Sequence, residues 1–600
     1  MLRFQDMQKR SPGAFSFCGG IIFPIIPDDG IAAWKNFFDA DKGFSLQSAD
    51  YVVYCNIKGV KHINSMIYDP LAEYESKFRS LHSEKAEKFF DALREKSGIA
   101  VEENRTTVKK YHECNDNLKK QKKKLNLFRF LRVLMIITIL LIPLVILKMT
   151  PRIRQMRSDI ENEDKRAAEL LAAANAQMQP LNQLFTDRDA VHLIEETIPL
   201  FEFAPDFSVK QEADMIQNYD FDGISDTERS AVDLLAGSYN DNPFVFENQL
   251  IHRMGEEVYH GYKTISWTET YRDSDGHTKT RVRTETLHAT VTKPKPFYST
   301  QVALNYCAQG APDLSFSRDA THLEQKSDKE IEKYVKKGEK KLKKKTDKAI
   351  RDDGNFTSMS NSDFEVLFDA LDRTDEVQFR TLFTPLAQTN MVSLIRSRVG
   401  YGDDFHFIKR RRTNRIISSH SQGRSLTLNP ADYASFSYDE TRENFLAKNA
   451  EFFKSVYFDF APLLAIPVYQ ERPVYSLKPI PDYSQRYSNM DCEVLLNRMD
   501  PHRAVHPDTK TRAILKPEYI GSVNTSDRIR VTAYSYDMEP RVDFVPVLGG
   551  DGHIHSVPVP WDEYLPLEAT NDFLVSADNE KIPTNSVFAK CNGLCLRGFE

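Results

Sequence analysis

A chain of 600 residues is longer than one hydrophobic core usually organises, so the length predicts several domains. Hydrophobic residues make up 41% and aromatic residues 11% of the chain, which excludes global disorder. A net charge of −6 over this length gives no indication about nucleic-acid binding, for which only local basic clusters could be informative. Too few cysteines are present for a disulfide-rich scaffold, and they leave the redox compartment open: Cys18, Cys55, Cys114, Cys307, Cys492, Cys591 and Cys595.

The first hundred residues, 1–100, predict a small α+β domain. Residues 15–27, FSFCGGIIFPIIP, contain two glycines and two prolines and indicate a buried strand pair or loop, with a re-entrant membrane segment as the alternative. Residues 51–57 are typical of a strand, and residues 84–96 are typical of a helix that Ser97 and Gly98 end. A charged helix is predicted over residues 101–127.

Residues 133–147, VLMIITILLIPLVIL, form a run of fifteen residues without a charge. Together with the apolar residues before it, the run can cross about 30 Å of hydrocarbon at about 1.5 Å per residue. Pro143 does not prevent this, because proline is tolerated in membrane helices. The sequence therefore predicts one transmembrane helix over residues 128–149, and a buried core helix is the alternative.

Basic residues lie on both sides of this apolar segment. Lys and Arg occur seven times in residues 112–132 and six times in residues 148–168, so the positive-inside rule does not orient the chain. Because moving the long charged amino-terminal part across a membrane is unfavourable, we expect a cytoplasmic amino terminus and extracytoplasmic carboxyl-terminal domains. The lysine cluster at 119–124 would then face the cytoplasmic leaflet.

A coiled-coil-like helix is predicted over residues 152–186, next to the membrane. Its seam follows a 3-4 alternation: Ile153, Met156, Ile160, Glu163, Ala167, Leu170, Ala174, Gln177, Leu181 and Leu184. Pro180 limits the dependable part to residues 153–177. The seam indicates homo-oligomerisation through residues 153–177, or packing against another part of the same chain.

Residues 190–323 predict a β-rich domain. Residues 258–271 and 281–291 read as the two strands of a hairpin whose turn contains Asp275 and Gly276, and residues 293–306 read as a third strand. A calcium loop beginning at Asp273 is the alternative for this turn, but it lacks the glutamate at position twelve and flanking helices.

A lysine-rich helix is predicted over residues 324–351. Eight lysines stand between Lys333 and Lys345 against one acid, Glu339, and a narrow apolar stripe contains Ile331, Val335 and Leu342. The helix is interpreted as a solvated connector, with binding to anionic lipid as the alternative. Nucleic-acid binding is not expected, because Tyr334 is the only aromatic residue available for stacking.

The remaining residues predict a second α+β domain over 363–566 and a carboxyl-terminal tail over 567–600. Several motifs resemble a family of uncharacterised bacterial membrane proteins: KPKPFY, APDLSFSR (311–318), LFTPLAQ within 371–391, YGDDFHFIK (401–409), YFDFAPLLAIPVYQ (457–470) and GGDGHIHSVPVPW (549–561). The resemblance covers roughly residues 180–565. It implies a bacterial, membrane-anchored protein and no particular activity.

One constellation could hold a metal. His553 and His555 are two residues apart on a predicted strand and would face one side. His502 and His506 could join them, and a carboxylate from Asp551 or Asp508 could complete the site. Zinc or manganese would be the metal, and a hydrogen-bonded turn beside a strand is the alternative interpretation. Cys591 and Cys595 have no second pair, and no glycine-rich phosphate loop, nucleophile elbow or HExxH motif is present.

The identifiable features therefore indicate where the protein is anchored and how it associates, and they do not indicate a reaction. The fold class expected is an α+β multidomain membrane protein with one transmembrane helix, a juxtamembrane coiled-coil-like helix and two β-rich α+β domains. The function predicted is that of a membrane-anchored structural, scaffold or adaptor protein without a cofactor. Its partners would be the lipid bilayer, further copies of itself and an unknown protein. The alternative is a membrane-tethered metal-dependent hydrolase.

Overall fold

The computed structural model describes residues 15–18, 21–24, 66–137, 148, 150–222, 226–272, 274–275, 277–352, 358–473, 478–499, 503–524, 526–577, 590–591 and 594–598. The chain divides into two units, residues 1–66 and residues 67–600. In the first unit, β1 (Phe15–Cys18) pairs with β2 (Ile21–Pro24) in antiparallel fashion, so the predicted strand pair is confirmed. The strand predicted over 51–57 lies outside the described residues.

Helices dominate the first part of the larger unit. They are α1 (Pro70–Glu73), which continues through one π-helical turn (Tyr74–Phe78) into α2 (Arg79–Ser97), then α3 (Val101–Ile137), α4 (Thr150–Asn182), α5 (Asp189–Thr197) and α6 (Val209–Tyr219). The side chain of Asp69 caps α1, and Ser208 caps α6. Gly98 ends α2 with φ of 64°, a conformation that glycine adopts without strain, as the sequence predicts.

The later helices are α7 (Asp328–Arg351), α8 (Ser362–Phe368), α9 (Glu376–Leu382), α10 (Pro385–Arg396), α11 (Tyr438–Leu464) and α12 (Asn489–Arg498). Short 3-10 turns cover Leu323–Gln325, Pro430–Asp432 and Pro467–Gln470. A capping box between Ser327 and Glu330 begins α7, so the predicted lysine-rich helix is confirmed.

A seven-stranded antiparallel sheet has the order β3-β4-β5-β6-β9-β8-β7. Its strands are β3 (Phe201–Phe203), β4 (Arg229–Tyr239), β5 (Asn242–Arg272), β6 (Thr278–Cys307), β7 (Ser315–Arg318), β8 (Phe405–Arg410) and β9 (Thr413–Ser418). Because β9 pairs with β6 and β8 pairs with β7, one sheet joins strands from the regions 190–323 and 363–566. The fold is therefore α+β, as expected, and its largest sheet crosses the predicted boundary between those regions.

The predicted hairpin is confirmed, but it is longer than expected. β5 and β6 pair continuously from Phe244 with Tyr306 to Arg272 with Thr278. The prediction of a third strand over 293–306 is wrong, because these residues continue β6. Pro294 and Pro296 fit this strand because β6 pairs with β9 only over residues 304–307, so the edge beside the prolines needs no amide donor.

A five-stranded antiparallel sheet has the order β10-β11-β12-β14-β13. Its strands are β10 (Ile514–Val523), β11 (Ser526–Leu548), β12 (Ile554–Ala577), β13 (Lys590–Cys591) and β14 (Leu594–Gly598). Residues 567–577, expected to begin a tail, lie in β12, and β14 pairs with β12 from Phe573 with Gly598 to Ala577 with Leu594.

An aromatic core covers one face of the seven-stranded sheet. Phe244 and Phe246 of β5 pack on Phe460 of α11, with ring centroids 5.0 and 5.6 Å apart. Edge-to-face contacts of this kind contribute about 0.5–1.5 kcal/mol each beyond simple burial. Residues that precede the apolar segment, such as Tyr74 and Phe78, belong to the same core cluster.

Candidate functional site

Helices α3 and α4 lie side by side, and we call this pair the stalk. The contacts run in opposite directions along the two helices: Asn104 with Gln177, Cys114 with Glu163, and Phe128 with Arg152. The helices are therefore antiparallel, and the chain that leaves the body along α3 returns to it along α4.

The predicted coiled-coil seam faces the interior of the stalk. Ala167 is buried against Cys114 and Leu118 of α3, and Ile160 and Leu170 pack around them. Burial raises the pKa of the Cys114 thiol, whose Sγ donates to Glu163 Oε2 at 3.0 Å. These seam residues thus have a partner within the chain, while self-association through residues 153–177 stays a prediction.

One end of the stalk is fixed to the body at the start of α11. The side-chain amide of the fully buried Asn104 donates to the carbonyl oxygen of Phe436 at 3.0 Å and accepts from the backbone N–H of Tyr438 at 3.0 Å. Beside it, the guanidinium of Arg105 lies 2.7 Å from the carboxylate of Asp439. Buried amides with both functions satisfied specify one arrangement of helices, so this joint defines where the stalk begins.

The other end of the stalk carries the predicted transmembrane segment. Leu127 and Phe130 are more than half exposed there. Among the described residues, no helix combines the length and the apolar composition that crossing a bilayer requires. The centre of the predicted helix, residues 138–147, lies outside the described residues.

Helix α7 presents a predominantly cationic surface, with the exposed acids Glu330 and Asp347 near its two ends. Nine exposed lysines, which we call the lysine face, fall within an arc of about 160° at about 100° per residue: Lys329, Lys333, Lys336, Lys337, Lys340, Lys341, Lys343, Lys344 and Lys348. The opposite side buries Ile331, Val335 and Leu342. A Cβ on Gly338 would lie 2.3 Å from Cγ1 of Val366, so glycine lets α7 approach α8 closely.

Two long hairpins pack face to face and form what we call the arm, residues 256–294 of β5 and β6 together with residues 538–564 of β11 and β12. Ile265, Leu287, Val557 and Val559 are buried between them. A Cβ on Gly261 would lie 2.2 Å from the carbonyl oxygen of Pro558, so the close approach of the hairpins requires glycine at this position.

A polar cluster closes one side of the arm. Lys293 Nζ lies 2.7 Å from Asp543 Oδ2 and 4.1 Å from the centre of the Trp561 ring, and the indole N–H of Trp561 donates to Asp543 Oδ1 at 3.0 Å. Hydrogen bonds from Lys293 and Trp561 hold the pKa of Asp543 below its ordinary value. The cluster adds directional contacts to the interface, as do the hydrogen bonds from Lys263 to the Ser556 carbonyl and from the Gly550 N–H to Glu285.

The outer side of β11 and β12 is apolar near their turn. Val542, Phe544, Leu548 and Ile554, which we call the arm face, are 51 to 73% exposed. The register places Leu548 opposite Ile554, so the exposed side chains are neighbours across the hairpin. Contiguous exposed apolar residues of this kind are typical of a contact surface.

The predicted metal residues at this turn pair with one another. His555 Nε2 lies 2.9 Å from Asp551 Oδ2, and Asp551 Oδ1 accepts the backbone N–H of His553 at 3.0 Å. The prediction that both histidines lie on a strand is wrong for His553, because β12 begins at Ile554. His553 lies in the turn before β12, and Gly552, with φ of 81°, allows the chain to turn there. Hydrogen bonds from the backbone N–H of His553 and from the side chain of His555 lower the pKa of Asp551.

The other predicted ligands lie elsewhere. His506 is near the body end of β11, since the N–H of Lys510 donates to the carbonyl of Tyr536, whereas His555 is opposite Val547. Tyr536 and Val547 are about 36 Å apart along the strand at about 3.3 Å per residue. His502 lies outside the described residues. The part of the chain that the structure describes contains no group of three or more potential metal ligands.

The sequence did not predict a polar cleft of about 480 Å³ on the seven-stranded sheet. At its floor Arg415 donates to Gln249 and Asn305 at 2.7 and 3.1 Å. At its rim Arg229 lies 3.0 Å from Asp226, and His406 Nδ1 lies 3.0 Å from Asp319 Oδ1. The only sequence signal is the alternation of polar side chains in strands β5, β6 and β9. Because the polar side chains of the floor and the rim pair with one another, the cleft does not support a catalytic assignment.

Comparison with protein-family models, curated proteins and solved structures finds no match to this chain. The resemblance of its motifs to a family of bacterial membrane proteins stays a prediction.

Proposed function

We propose that the chain is a membrane-anchored scaffold or adaptor protein. The stalk is the anchor, and the arm is the surface that it presents to a protein partner. This function requires that the body be held at a membrane, and it does not require a reaction. It agrees with the polar groups described above, most of which pair with one another within the fold.

The observation that carries the proposal is the position of the apolar segment, residues 128–149. Its first residues, 128–137, form the last turns of α3 at the end of the stalk remote from the Asn104 joint, and α4 begins directly after it at Thr150. Basic residues surround that end: Lys119, Lys120, Lys122, Lys123, Lys124, Arg129, Arg132, Lys148, Arg152, Arg154 and Arg157. Each basic residue near an anionic lipid surface contributes about 1 kcal/mol of binding free energy. An apolar segment that is flanked by basic residues is typical of chains that bind at a bilayer interface.

The exposed apolar arm face supports presentation to a partner. Phe544 and Leu548 extend from the two-layered arm, whose interior is independently stabilised by Ile265, Leu287 and Val557. The face therefore remains available while the arm keeps its shape. Removing such side chains from water on binding contributes roughly 25 cal/mol per Å².

Fractionation of cells that express the full chain tests the anchor. We expect the protein in the membrane pellet after a high-salt wash, and release only by detergent. The double substitution Ile139→Asp and Val145→Asp is expected to move the protein to the supernatant, because each charge costs about 2.5–3.5 kcal/mol in a bilayer.

The matched control carries the same added charge on exposed positions of α4 that are remote from these basic residues, Ala172→Asp and Asn175→Asp. It should remain in the pellet. Wild-type protein that stays in the supernatant without detergent would contradict the anchor, and so would two charged variants that behave alike.

A further inference from the structure

The two ends of the apolar segment lie next to each other. The guanidinium of Arg152 is 5.4 Å from the centre of the Phe128 ring, and Lys122 Nζ is 3.0 Å from Asp164 Oδ1 farther down the stalk. Leu125 and Ile153 are both buried at this level. The antiparallel contact of α3 and α4 thus extends to the residues at which the apolar segment begins and ends.

A membrane-spanning helix would separate these ends. Twenty-two helical residues from 128 to 149 are about 33 Å long at about 1.5 Å per residue. Arg152 lies only three residues beyond, and its side chain reaches far less than that length. The contact between Phe128 and Arg152 is therefore incompatible with a straight helix through residues 128–149.

Resting on the proposed membrane anchor, we propose that both helices of the stalk and the body lie on one side of the membrane and share one compartment. The stalk end binds a single leaflet of anionic lipids. This arrangement replaces the expectation that the amino-terminal and carboxyl-terminal parts lie in different compartments.

Contacts within the body support the same topology. His82, which precedes the segment, places Nε2 3.2 Å from the carbonyl oxygen of Asn449 and Nδ1 3.1 Å from Oγ1 of Thr197. The side-chain amide of Asn390 donates to the carbonyl of Tyr68 at 2.6 Å. Since residues on both sides of the segment build one core, a membrane between them would require that core to be taken apart.

The charge count also agrees with flanks that lie on the same side of the membrane. Seven Lys and Arg residues before the segment and six after it leave a spanning helix without an orientation. If both flanks lie on the cytoplasmic side, the positive-inside rule expects a high count on each. The lysine face of α7 then lies in the same compartment as the stalk.

Cysteine labelling in sealed vesicles tests the topology. Lys120→Cys on α3 and Glu161→Cys on α4 replace exposed residues, in a background with Cys18, Cys55, Cys591 and Cys595 changed to Ser and the buried Cys114, Cys307 and Cys492 retained. A membrane-impermeant maleimide should label both positions in inside-out vesicles and neither position in right-side-out vesicles. Labelling of one position in each orientation would overturn the proposal. Protein absent from the vesicle pellet would instead contradict the membrane anchor.

Cross-linking provides a second readout. Lys122→Cys and Asp164→Cys replace residues in direct contact, and a short bis-maleimide applied to membranes should join them within one chain. In the control pair, Lys122→Cys with Asn175→Cys, the second cysteine lies on α4 near the body end of the stalk and should not be joined. Equal yields for the two pairs, or no product from the first pair, would overturn the proposal.

Discussion

The guanidinium of Arg373 lies 2.6 Å from the carboxylate of Glu365, and neither side chain is more than 1% exposed. Arg373 also contacts Glu376 at 3.0 Å and covers the ring of Phe379 at 4.3 Å. The pair thereby ties the loop before α9 to α8.

Breaking this buried pair should be costly. Arg373→Met leaves Glu365 buried without its cation, and we expect the free energy of unfolding to fall by about 3–5 kcal/mol. Arg396→Met is the matched control, since Arg396 lies 2.7 Å from Asp363 of the same α8 in an exposed pair and should lower the free energy by less than about 1 kcal/mol. Urea unfolding followed by circular dichroism measures both. Equal losses would show that burial does not set the cost.

Acid should weaken the contact between α2 and α11 through His82. Burial lowers the pKa of His82 from 6.5 to about 4. Below pH 6.5 His82 binds a proton in the unfolded chain but not in the folded chain. The free energy of unfolding therefore falls as the pH decreases from 6.5 to about 4. The loss in free energy of unfolding is at most about 3 kcal/mol, since a difference of one pKa unit corresponds to about 1.4 kcal/mol.

The variant His82→Gln removes the titrating group and supplies an amide N–H donor in place of a ring nitrogen. We expect its free energy of unfolding to be lower at pH 7 and to decline less steeply than that of wild type between pH 6.5 and 4. Denaturant titrations at several pH values measure the two slopes. Parallel curves would contradict a proton-linked role for His82.

The arm depends on Gly261. A valine there would clash with the Pro558 carbonyl and with Val559 Cα, 2.2 and 2.8 Å from the position of its Cβ, and should separate the two hairpins. Trp267 and Trp561 lie in or beside this interface, so Gly261→Val should shift tryptophan emission to longer wavelength. Thr264→Val, on the outer side of the same strand, should leave the emission unchanged. An unchanged spectrum for Gly261→Val would mean that the hairpins do not require this contact.

Charges in the stalk interior should separate its helices. Since Ile160 and Leu170 pack against α3, we expect Ile160→Asp with Leu170→Asp to abolish the cross-link between positions 122 and 164 without a change in molecular mass. Light scattering in detergent measures the mass. Conversion of an oligomer into a monomer would instead support self-association through residues 153–177.

Metal analysis distinguishes the scaffold from the hydrolase alternative. Because Asp551 and His555 bind each other and His506 is remote, we expect the purified full chain to hold zinc or manganese far below one ion per chain. Stoichiometric metal that is lost in His553→Ala would support the hydrolase. The metal content of Cys591→Ser measures any contribution from that cysteine.

Elements whose signal is local could be predicted from the sequence. The alternation of residues 258–271 and 281–291 predicted the β5–β6 pairing, and the stripe of Ile331, Val335 and Leu342 predicted which side of α7 is buried. Likewise Gly98 ends α2, because a positive φ at the end of a helix is a property of the residue itself. Among the site residues, the adjacency of Asp551 and His555 follows from their spacing, whereas the distance of His506 from them does not.

The partner of each apolar stripe was decided only by the tertiary structure. A seam such as Ile160, Ala167 and Leu170 packs equally well on a second chain or on α3, because a stripe specifies the shape of a surface and not the identity of what covers it. An apolar segment can likewise cross a bilayer or turn back in it, since both bury the same side chains. Only the tertiary structure supplies the long-range contacts, here Phe128 with Arg152 and His82 with Asn449, between residues that are far apart in the sequence.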